Sequence, residues 1–255
     1  MHRFYLPPEQ CRGPALVLSG REAHHAEHVF RLRRGDRLVV LNGAGDEFLC
    51  EVLEPRREEM PLAIVQKTAS PPLPWRLTLL QAVPKAKLIE CIIQKATELG
   101  VSRIVPILSE RTVPQLGAGT AEARVKKWRQ IAIEAIKQCG NPWLPLVESP
   151  LTPKEFLARG ERFDLPLIAS LQSDRRHLRE HFRTFLTAHS RPPQSLCVWI
   201  GPEGDFTPAE MSAIKADGAL PITLGPLILR SETAAIYALS ILNYELQACL
   251  PPACA

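Results

Sequence analysis

Residues 196–206 read LCVWIGPEGDF, a short apolar run that ends in a loop containing glycines and a proline. Residues 224–234 read LGPLILRSETA and repeat this arrangement. Short apolar runs bounded by such residues are typical of buried parallel strands. In an open α/β sheet, ligands bind beyond the carboxyl ends of the strands, where glycines let the backbone approach a ligand. The two loops together predict one shared pocket, although either loop alone is also compatible with a routine turn.

The rest of the C-terminal part alternates strand and helix signals. Residues 88–99 place apolar side chains at helical spacing and end at Gly100, while Thr207 and Glu210 form a capping box at a helix start. A last helix, from about Glu232 to Cys249, is apolar over more than one face, so one of its partners could be another subunit. The pattern predicts an α/β domain with a parallel sheet, in which the strands before the two loops are adjacent. Its expected strands are 76–83, 103–108, 165–170, 196–201 and 221–225.

The first 70 residues have a different pattern. Apolar runs at 37–41, 48–53 and 62–66 are separated by glycines and charged residues, which predicts a small antiparallel sheet or barrel. The segment ASPPLP at 69–74 interrupts any regular pairing, because proline cannot donate to a strand ladder. We therefore place a domain boundary near residue 72, giving domains 1–72 and 73–255.

Composition excludes several classes of protein. The chain has 255 residues, of which 45% are hydrophobic and 23% charged, as in ordinary globular domains. Its 7 cysteines are scattered and no Cys/His group has metal-ligand spacing, so we expect reduced thiols and no metal site. No apolar run approaches the length that crosses a bilayer, and the N-terminal residues lack a signal core. A cytoplasmic protein without membrane contact is the expectation.

The positive charge is concentrated in the middle of the chain. The net charge is +4, made up of 0 over residues 1–72, +6 over 73–147 and −2 over 148–255. The cations are 22 Arg and 9 Lys. An excess of Arg suits bidentate binding of phosphate or carboxylate, and it equally suits a bias in genome composition.

Longer motifs identify a family. There is no GxGxxG that opens a helix and no GxxxxGK[ST], so the pocket is not a dinucleotide or NTP site by motif. The chain resembles the family of 16S rRNA uridine-N3 methyltransferases in the SPOUT superfamily. The resemblance is carried by MHRFYL at the start, AHH and HVFRLRRGD within 23–36, Lys85, QKATELGV at 94–101, ERT at 110–112, EAIKQCG at 134–140, IGPEG at 200–204 and LGPLILRSETA at 224–234.

The resemblance implies a fold, a cofactor and partners. It implies a small N-terminal PUA-like β-barrel domain that helps hold rRNA, and a C-terminal parallel-sheet domain with an α/β trefoil knot. It implies a homodimer whose subunits complete each other's sites, and methylation of N3 of one uridine in small-subunit rRNA by S-adenosylmethionine. A catalytically silent RNA-binding or ribosome-assembly factor on the same scaffold is the alternative. The cofactor-binding residues carried over are Ala169, Ser170, Ile200, Gly201, Pro202, Glu203, Gly204, Leu224, Gly225, Ile228, Leu229, Arg230, Thr233 and Ala234.

Two positions depart from the family pattern. The first loop often reads GPEGG, whereas this chain has Asp205 at the last position, and the second loop often has Arg where this chain has Leu227. Asp205 would add negative charge near a sulfonium, and Leu227 would remove a possible RNA contact. Because neither is among the residues carried over as cofactor-binding, we expect these departures to bear on RNA binding more than on methyl transfer.

Methylation of uracil N3 requires removal of an imide proton and alignment of the nitrogen with the methyl–sulfur bond. Arg230 is the leading candidate for stabilising the negative charge that develops on a uracil oxygen. Glu232 is a candidate base, and it is equally explained as a favourable charge at a helix N-terminus. We therefore name Arg230 and Glu232 as candidate catalytic residues.

The substrate is expected to be rRNA or an assembled small subunit, with the target base extracted from its stack. His24, His25 and His28 invite a metal interpretation, but no carboxylate or cysteine completes a set, so we favour a surface or RNA-facing role. Lys85, Lys87, Arg111 and the cations of 124–129 could clamp phosphates, although Lys126, Lys127 and Arg129 individually fit a solvated helix face. The RNA-binding candidates are Arg3, His25, Arg31, Arg33, Lys85 and Arg111.

Overall fold

The computed structural model describes residues 1–54, 56, 58–85, 88–112 and 121–249. These residues form two compact units. The first comprises Met1–Pro72 together with Ile133–Leu144, and the second comprises Leu73–Ala132 and the residues from Pro145 onward. The predicted second domain ran without interruption from residue 73, whereas residues 133–144 belong to the first unit.

The first unit is built on a five-stranded sheet. Its strands are β1 (Arg3–Tyr5), β2 (Ala15–Ser19), β3 (Arg37–Leu41), β4 (Asp46–Val52) and β5 (Glu59–Ala69), in the order β1-β3-β4-β5-β2. Only the β1–β3 pair among them is parallel. Alternate residues of β2 and β4 are buried, as expected for strands with one face on a core. The predicted small antiparallel sheet is confirmed for β2–β5, while β1, which was not predicted, adds a parallel pair. Between β2 and β3 lie α1 (Gly20–His24) and a π-helical turn over His25–Val29.

Residues 133–144 join the first unit through polar and aromatic contacts. The buried Lys137 ammonium binds the Glu22 carboxylate at 2.9 Å and the Glu134 carboxylate at 3.1 Å. The indole N–H of Trp143 donates to the Ser70 carbonyl at 3.1 Å. A Cβ added at Gly45 would lie 2.4 Å from the Trp143 ring, so this position requires glycine. These long-range contacts explain why a boundary read from local composition misplaced the segment.

The second unit contains a parallel sheet of six strands among the described residues. They are β6 (Arg76–Ala82), β7 (Arg103–Ile107), β8 (Leu146–Val147), β9 (Leu165–Ala169), β10 (Ser195–Ile200) and β11 (Leu220–Ile222), in the order β11-β9-β10-β6-β7-β8. Every pairing between them is parallel. β6 and β10 are buried along almost their whole length, because helices cover both faces. The predicted α/β class is confirmed.

The helices of this unit begin and end where local chemistry favours it. They are α2 (Leu88–Glu98), α3 (Ala121–Cys139, whose last seven residues belong to the first unit), α4 (Pro153–Leu157), α5 (Leu178–His189), α6 (Pro208–Ala216) and α7 (Ser231–Ala248). Thr207 and Glu210 form the predicted capping box. Gly100 follows α2 with a φ of +76°, as a C-cap glycine does. No helix in the described part of the chain has the length and apolarity needed to cross a membrane.

The two faces of the sheet carry different helices. Leu80 and Ala82 of β6 belong to a core cluster with Phe156 of α4 and with Met211 and Ile214 of α6. Gln81 lies between them in sequence and therefore points to the opposite face. There it contacts the start of α7, which packs against α2 and β10.

Candidate functional site

A cleft of about 610 Å³, open to solvent, lies at the carboxyl edge of the parallel sheet. Three strand ends and the first turn of α7 form it, so the two glycine-containing loops share one pocket as predicted. The lining residues are Ala169, Ser170, Leu171, Ile200, Gly201, Pro202, Glu203, Asp205, Leu224, Gly225, Leu227, Ile228, Leu229, Ser231 and Ala234.

The strands that precede the two loops are not adjacent, and this prediction was wrong. β9 lies between β10 and β11 and pairs with both. Its own carboxyl end supplies Ala169, Ser170 and Leu171 to the cleft. Strand order depends on pairings between distant segments, which local patterns do not specify. The intervening strand widens the cleft by one strand spacing, about 4.8 Å.

Most of the predicted cofactor residues line the cleft. Gly204, Arg230 and Thr233 do not. Leu171, Asp205, Leu227 and Ser231 do, although they were given no role in cofactor binding. Ser231 lies within the motif LGPLILRSETA at 224–234, and Leu171 directly follows the predicted strand 165–170. The sequence positions of both residues therefore indicated that they lie near the cleft. Asp205 was expected to place negative charge near a sulfonium, and it does line the cleft; Leu227, which was considered only for RNA contact, lines the cleft as well.

Asp205 closes a tight turn in the first loop. Its backbone has a φ of +60°, its N–H donates to the Pro202 carbonyl at 2.9 Å, and its Oδ1 accepts from the Phe206 N–H at 2.8 Å. Asp tolerates the left-handed conformation better than most residues, because its short side chain bonds the local backbone. A Cβ added at Gly201 would lie 3.0 Å from this same Oδ1. The turn therefore fits Asp at this position.

Two basic residues contact the first loop, Lys85 through its backbone N–H and Arg111 through its guanidinium. The Lys85 N–H donates to the Glu203 carboxylate at 3.1 Å. The Arg111 guanidinium donates to the Gly204 carbonyl at 2.6 Å. Both side chains are exposed, so their charge is available to a ligand. The structure thus brings these two predicted RNA-binding residues beside the predicted cofactor loop.

Glu210 anchors the segment that carries Arg111. Its buried carboxylate accepts from the Ser109 hydroxyl, from the Glu110 N–H and from Thr207, each at 2.9 Å. Burial raises the pKa of Glu210, but the hydrogen bonds from Thr207, Glu110 and Ser109 outweigh it and lower the pKa below its ordinary value. The sequence pattern indicated only the capping role of Glu210. Its link to residues 109–111 spans a hundred positions and left no local signal.

The two candidate catalytic residues lie at the start of α7. Arg230 is the exposed N-cap residue, and its side chain has no hydrogen-bond or ion-pair partner among the described residues. Glu232 is half-buried in the first turn. That position is the one in which a carboxylate stabilises a helix N-terminus. Arg230 adjoins Leu229 and Ser231 of the cleft lining without lining it itself.

The remaining RNA-binding candidates belong to the first unit. Arg3 is half-buried, and its guanidinium donates to the Gln138 carbonyl at 3.5 Å and packs against Gly140, so part of its role is structural. The His25 ring lies 4.8 Å from the Phe30 ring. Arg31 and Arg33 are exposed. His24 and His28 have ring centroids 4.6 Å apart.

No group of three His, Cys, Asp or Glu residues in the described ranges is placed to hold a metal ion. Lys126, Lys127 and Arg129 are exposed on α3, as a solvated face requires. Lys127 forms an ion pair with Glu90, which occupies part of its charge. Lys87 lies outside the described residues.

Comparison with known proteins gives consistent matches. A family model for an RNA methyltransferase domain matches residues 71–243, and one for an RNA methyltransferase PUA domain matches residues 18–60. Ribosomal RNA small subunit methyltransferase E of Bacillus subtilis is 30% identical over 249 residues, which are 96% of this chain and 97% of that protein.

Solved structures agree. Ribosomal RNA small subunit methyltransferase E of Neisseria gonorrhoeae, solved with S-adenosylmethionine, has a TM-score of 0.82 at 26% identity, over 96% of this chain and 98% of that one. A methyltransferase of Legionella pneumophila, also solved with this cofactor, has a TM-score of 0.83 at 31% identity, over 96% of each chain. The chain belongs to the RNA methyltransferase family that includes ribosomal RNA small subunit methyltransferase E.

Proposed function

We propose that this protein is an S-adenosylmethionine-dependent methyltransferase of small-subunit rRNA, and that it methylates N3 of one uridine. The observation that carries the proposal is the cleft at the carboxyl edge of the parallel sheet, in a chain that matches RNA methyltransferases over almost its whole length. A catalytically silent RNA-binding factor is not favoured, because relatives of the same fold bind S-adenosylmethionine.

The cleft residues fit S-adenosylmethionine chemically. Ile200, Leu224 and Leu229 offer apolar surface to an adenine ring, and the backbone of the glycine-containing loops offers hydrogen bonds to its edge. Glu203 and Asp205 place two carboxylates beside the cleft, which suits a ligand with an ammonium and a sulfonium group. When bound, this molecule supplies an electrophilic methyl group.

Arg230 has the position and freedom to act on the RNA base. The residue is exposed, its sequence neighbours Leu229 and Ser231 line the cleft, and its side chain has no competing partner in the described part of the chain. A cation at this position would stabilise the negative charge that develops on a uracil oxygen as the N3 proton leaves. We assign Glu232 chiefly to the helix N-terminus, because it sits in the first turn of α7.

The RNA approaches past Lys85 and Arg111 in this proposal. Both side chains are exposed cations, and hydrogen bonds hold them beside the loop 201–206, through the backbone N–H of Lys85 and the guanidinium of Arg111. Contacts between such cations and phosphates would orient a nucleic acid. In the first unit, Arg31, Arg33 and His25 are the accessible candidates for contacts with rRNA, free or in an assembled subunit. A protein that acts on rRNA would work in the cytoplasm.

We also propose that the protein is a homodimer that uses the outer face of α7. The inner face, with Ala235, Leu239 and Leu242, is buried in the sheet domain. Tyr237 is 45% exposed and Tyr244 is 65% exposed. The two residues lie on the same face of the helix, two turns apart. An apolar stripe on the second face of a helix suits packing against a second copy. We also expect the chain of this domain to form a trefoil knot, as in the SPOUT superfamily.

Two measurements test the proposed function. Isothermal titration calorimetry with S-adenosylmethionine should show one binding event per chain. Transfer of tritiated methyl groups to small-subunit rRNA, or to assembled subunits, should require Arg230: Arg230→Ala should reduce kcat by at least about 100-fold, as loss of a charge-stabilising donor does. Arg183→Ala, another exposed arginine on α5, is the matched control and should transfer methyl groups as the wild type does. Absence of cofactor binding in the wild type would contradict the proposal.

A further inference from the structure

A hydrogen-bond chain beneath the cleft joins three elements of the second unit. The Gln81 side-chain amide donates from Nε2 to the Ser231 hydroxyl at 2.9 Å. The Ser231 hydroxyl donates to the Gly201 carbonyl at 2.8 Å. Gln81 is on β6, Ser231 opens α7, and Gly201 follows β10. This chain of hydrogen bonds therefore connects the first cleft loop, the second cleft loop and strand β6.

The direction of every bond in this chain is fixed. The Gln81 Nε2 also donates to the Ala82 carbonyl at 2.8 Å. Because a carbonyl only accepts, the nitrogen and not the oxygen of the amide must face Ala82 and Ser231. The hydroxyl of Ser231 accepts from Gln81, so its single proton is directed at the Gly201 carbonyl. Gln81 thus orients the Ser231 hydroxyl.

Glutamine at this position carries an energetic cost beside its two hydrogen bonds. Gln81 is fully buried, and its Oε1 has no hydrogen-bond partner among the described residues. A buried acceptor without a partner is unfavourable, and an apolar side chain of similar size would remove it. Ser231 is also buried, yet it lines the cleft. A group retained at such a disadvantage beneath a binding cleft suggests a role in the cleft.

We propose that Gln81 is a positioning residue, which acts through Ser231 to hold the Gly201 carbonyl and the start of α7 at the separation that S-adenosylmethionine requires. This inference rests on the proposed function. Arg230 is the residue next to Ser231 in sequence, so the same chain fixes where the Arg230 backbone enters α7. The cofactor site and the base-contacting arginine are then aligned by one buried amide.

Three variants test the role of this hydrogen-bond chain. Ser231→Ala removes the hydroxyl and should raise the Kd for S-adenosylmethionine about tenfold, the equivalent of about one hydrogen bond. Ser231→Thr keeps the hydroxyl and should remain within about threefold of the wild type. Gln81→Met removes the orienting donor together with the unpartnered oxygen. It should weaken cofactor binding like Ser231→Ala without lowering the midpoint of thermal unfolding.

Thr97→Val is the matched control. The Thr97 hydroxyl is fully buried and donates to the Ile93 carbonyl at 2.8 Å, but it lies in α2 and does not line the cleft. Its loss should lower thermal stability and leave the Kd unchanged. In steady-state assays, Ser231→Ala and Gln81→Met should raise the KM for the cofactor and leave the KM for RNA unchanged, which a merely structural role would not do.

The double variant Gln81→Met/Ser231→Ala completes the test. Because both changes break the same chain, the double variant should bind no more weakly than Ser231→Ala alone. Additive losses, or wild-type cofactor binding in Ser231→Ala, would overturn the proposed positioning role while the function itself stands. A wild-type protein that does not bind S-adenosylmethionine would overturn both.

Discussion

The chain contains one buried and one exposed capping box, so their contributions to folding stability can be compared within one protein. Thr207 with Glu210 and Thr152 with Glu155 form the same reciprocal motif at the starts of α6 and α4. Glu210 is buried and also binds residues 109 and 110, whereas Glu155 is exposed. We predict that Glu210→Gln destabilises the protein substantially more than Glu155→Gln.

The expected destabilisation by Glu210→Gln follows from the hydrogen bonds that the Glu210 carboxylate accepts. Glu210 Oε1 accepts from the Glu110 N–H, and Oε2 accepts from the N–H and hydroxyl of Thr207 and from the Ser109 hydroxyl. Hydroxyls can turn to accept from a glutamine NH₂, but a backbone N–H cannot, so one N–H must lose its partner. That loss costs about 1 kcal/mol or more, and loss of charge on the remaining bonds adds about 1 kcal/mol. We expect a decrease of about 2 kcal/mol in the free energy of unfolding, or about 4–8 °C in Tm.

The effect should depend on pH. Because the folded protein lowers the pKa of Glu210, its carboxylate stabilises the fold above about pH 4.5, the ordinary value, and this stabilisation is lost as pH falls through the folded pKa. Urea unfolding of wild type, Glu210→Gln and Glu155→Gln at pH 7 and at pH 3 measures it. Equal losses for the two glutamine variants, or a Glu210→Gln deficit that does not shrink at pH 3, would refute the reasoning.

Three further predictions concern other positions. Asp205→Gly should leave thermal stability within about 0.5 kcal/mol of the wild type, because glycine adopts the left-handed conformation freely, whereas Asp205→Val should destabilise by about 2 kcal/mol; an indistinguishable pair of unfolding curves would argue against strain there. Lys137→Met leaves the carboxylate of Glu22 without its buried partner and should destabilise the first unit by about 3 kcal/mol in urea unfolding, and Glu22→Gln in the same background should recover part of the loss. Tyr244→Glu should convert a dimer to a monomer in light scattering, with Val65→Glu, an exposed apolar residue of the first unit, as the unaffected control; a monomeric wild type would count against the proposed interface.

Local chemistry predicted β3–β7, β9–β11, α2, α3, α6 and α7, whereas β1, β2, β8, α4 and α5 were not predicted. Strand and helix bounds in the second unit agree with the sequence pattern to within one or two residues at most ends, because short apolar runs, the Thr207 cap and the Gly100 cap are read within a few positions. β11 is shorter than expected: it ends at Ile222, where the chain turns into the cleft loop before Gly225.

Features that depend on distant pairings could not be predicted. The insertion of β9 between β10 and β11 and the contribution of 133–144 to the first unit are set by tertiary contacts. The role of the Gln81 amide could not be predicted for the same reason. Its partner Ser231 is 150 residues away, and a glutamine within an apolar strand does not indicate which group it hydrogen-bonds. The cleft itself was predicted because each of its loops carries its own glycine and proline pattern.

The central claim is tested most directly by mass spectrometry of small-subunit rRNA from a strain that lacks this gene. We expect that one N3-methyluridine is lost on deletion, that the wild-type gene restores it, and that the Arg230→Ala variant does not. An rRNA that carries the same methylated nucleosides with and without the gene, together with tight rRNA binding by the purified protein, would contradict it.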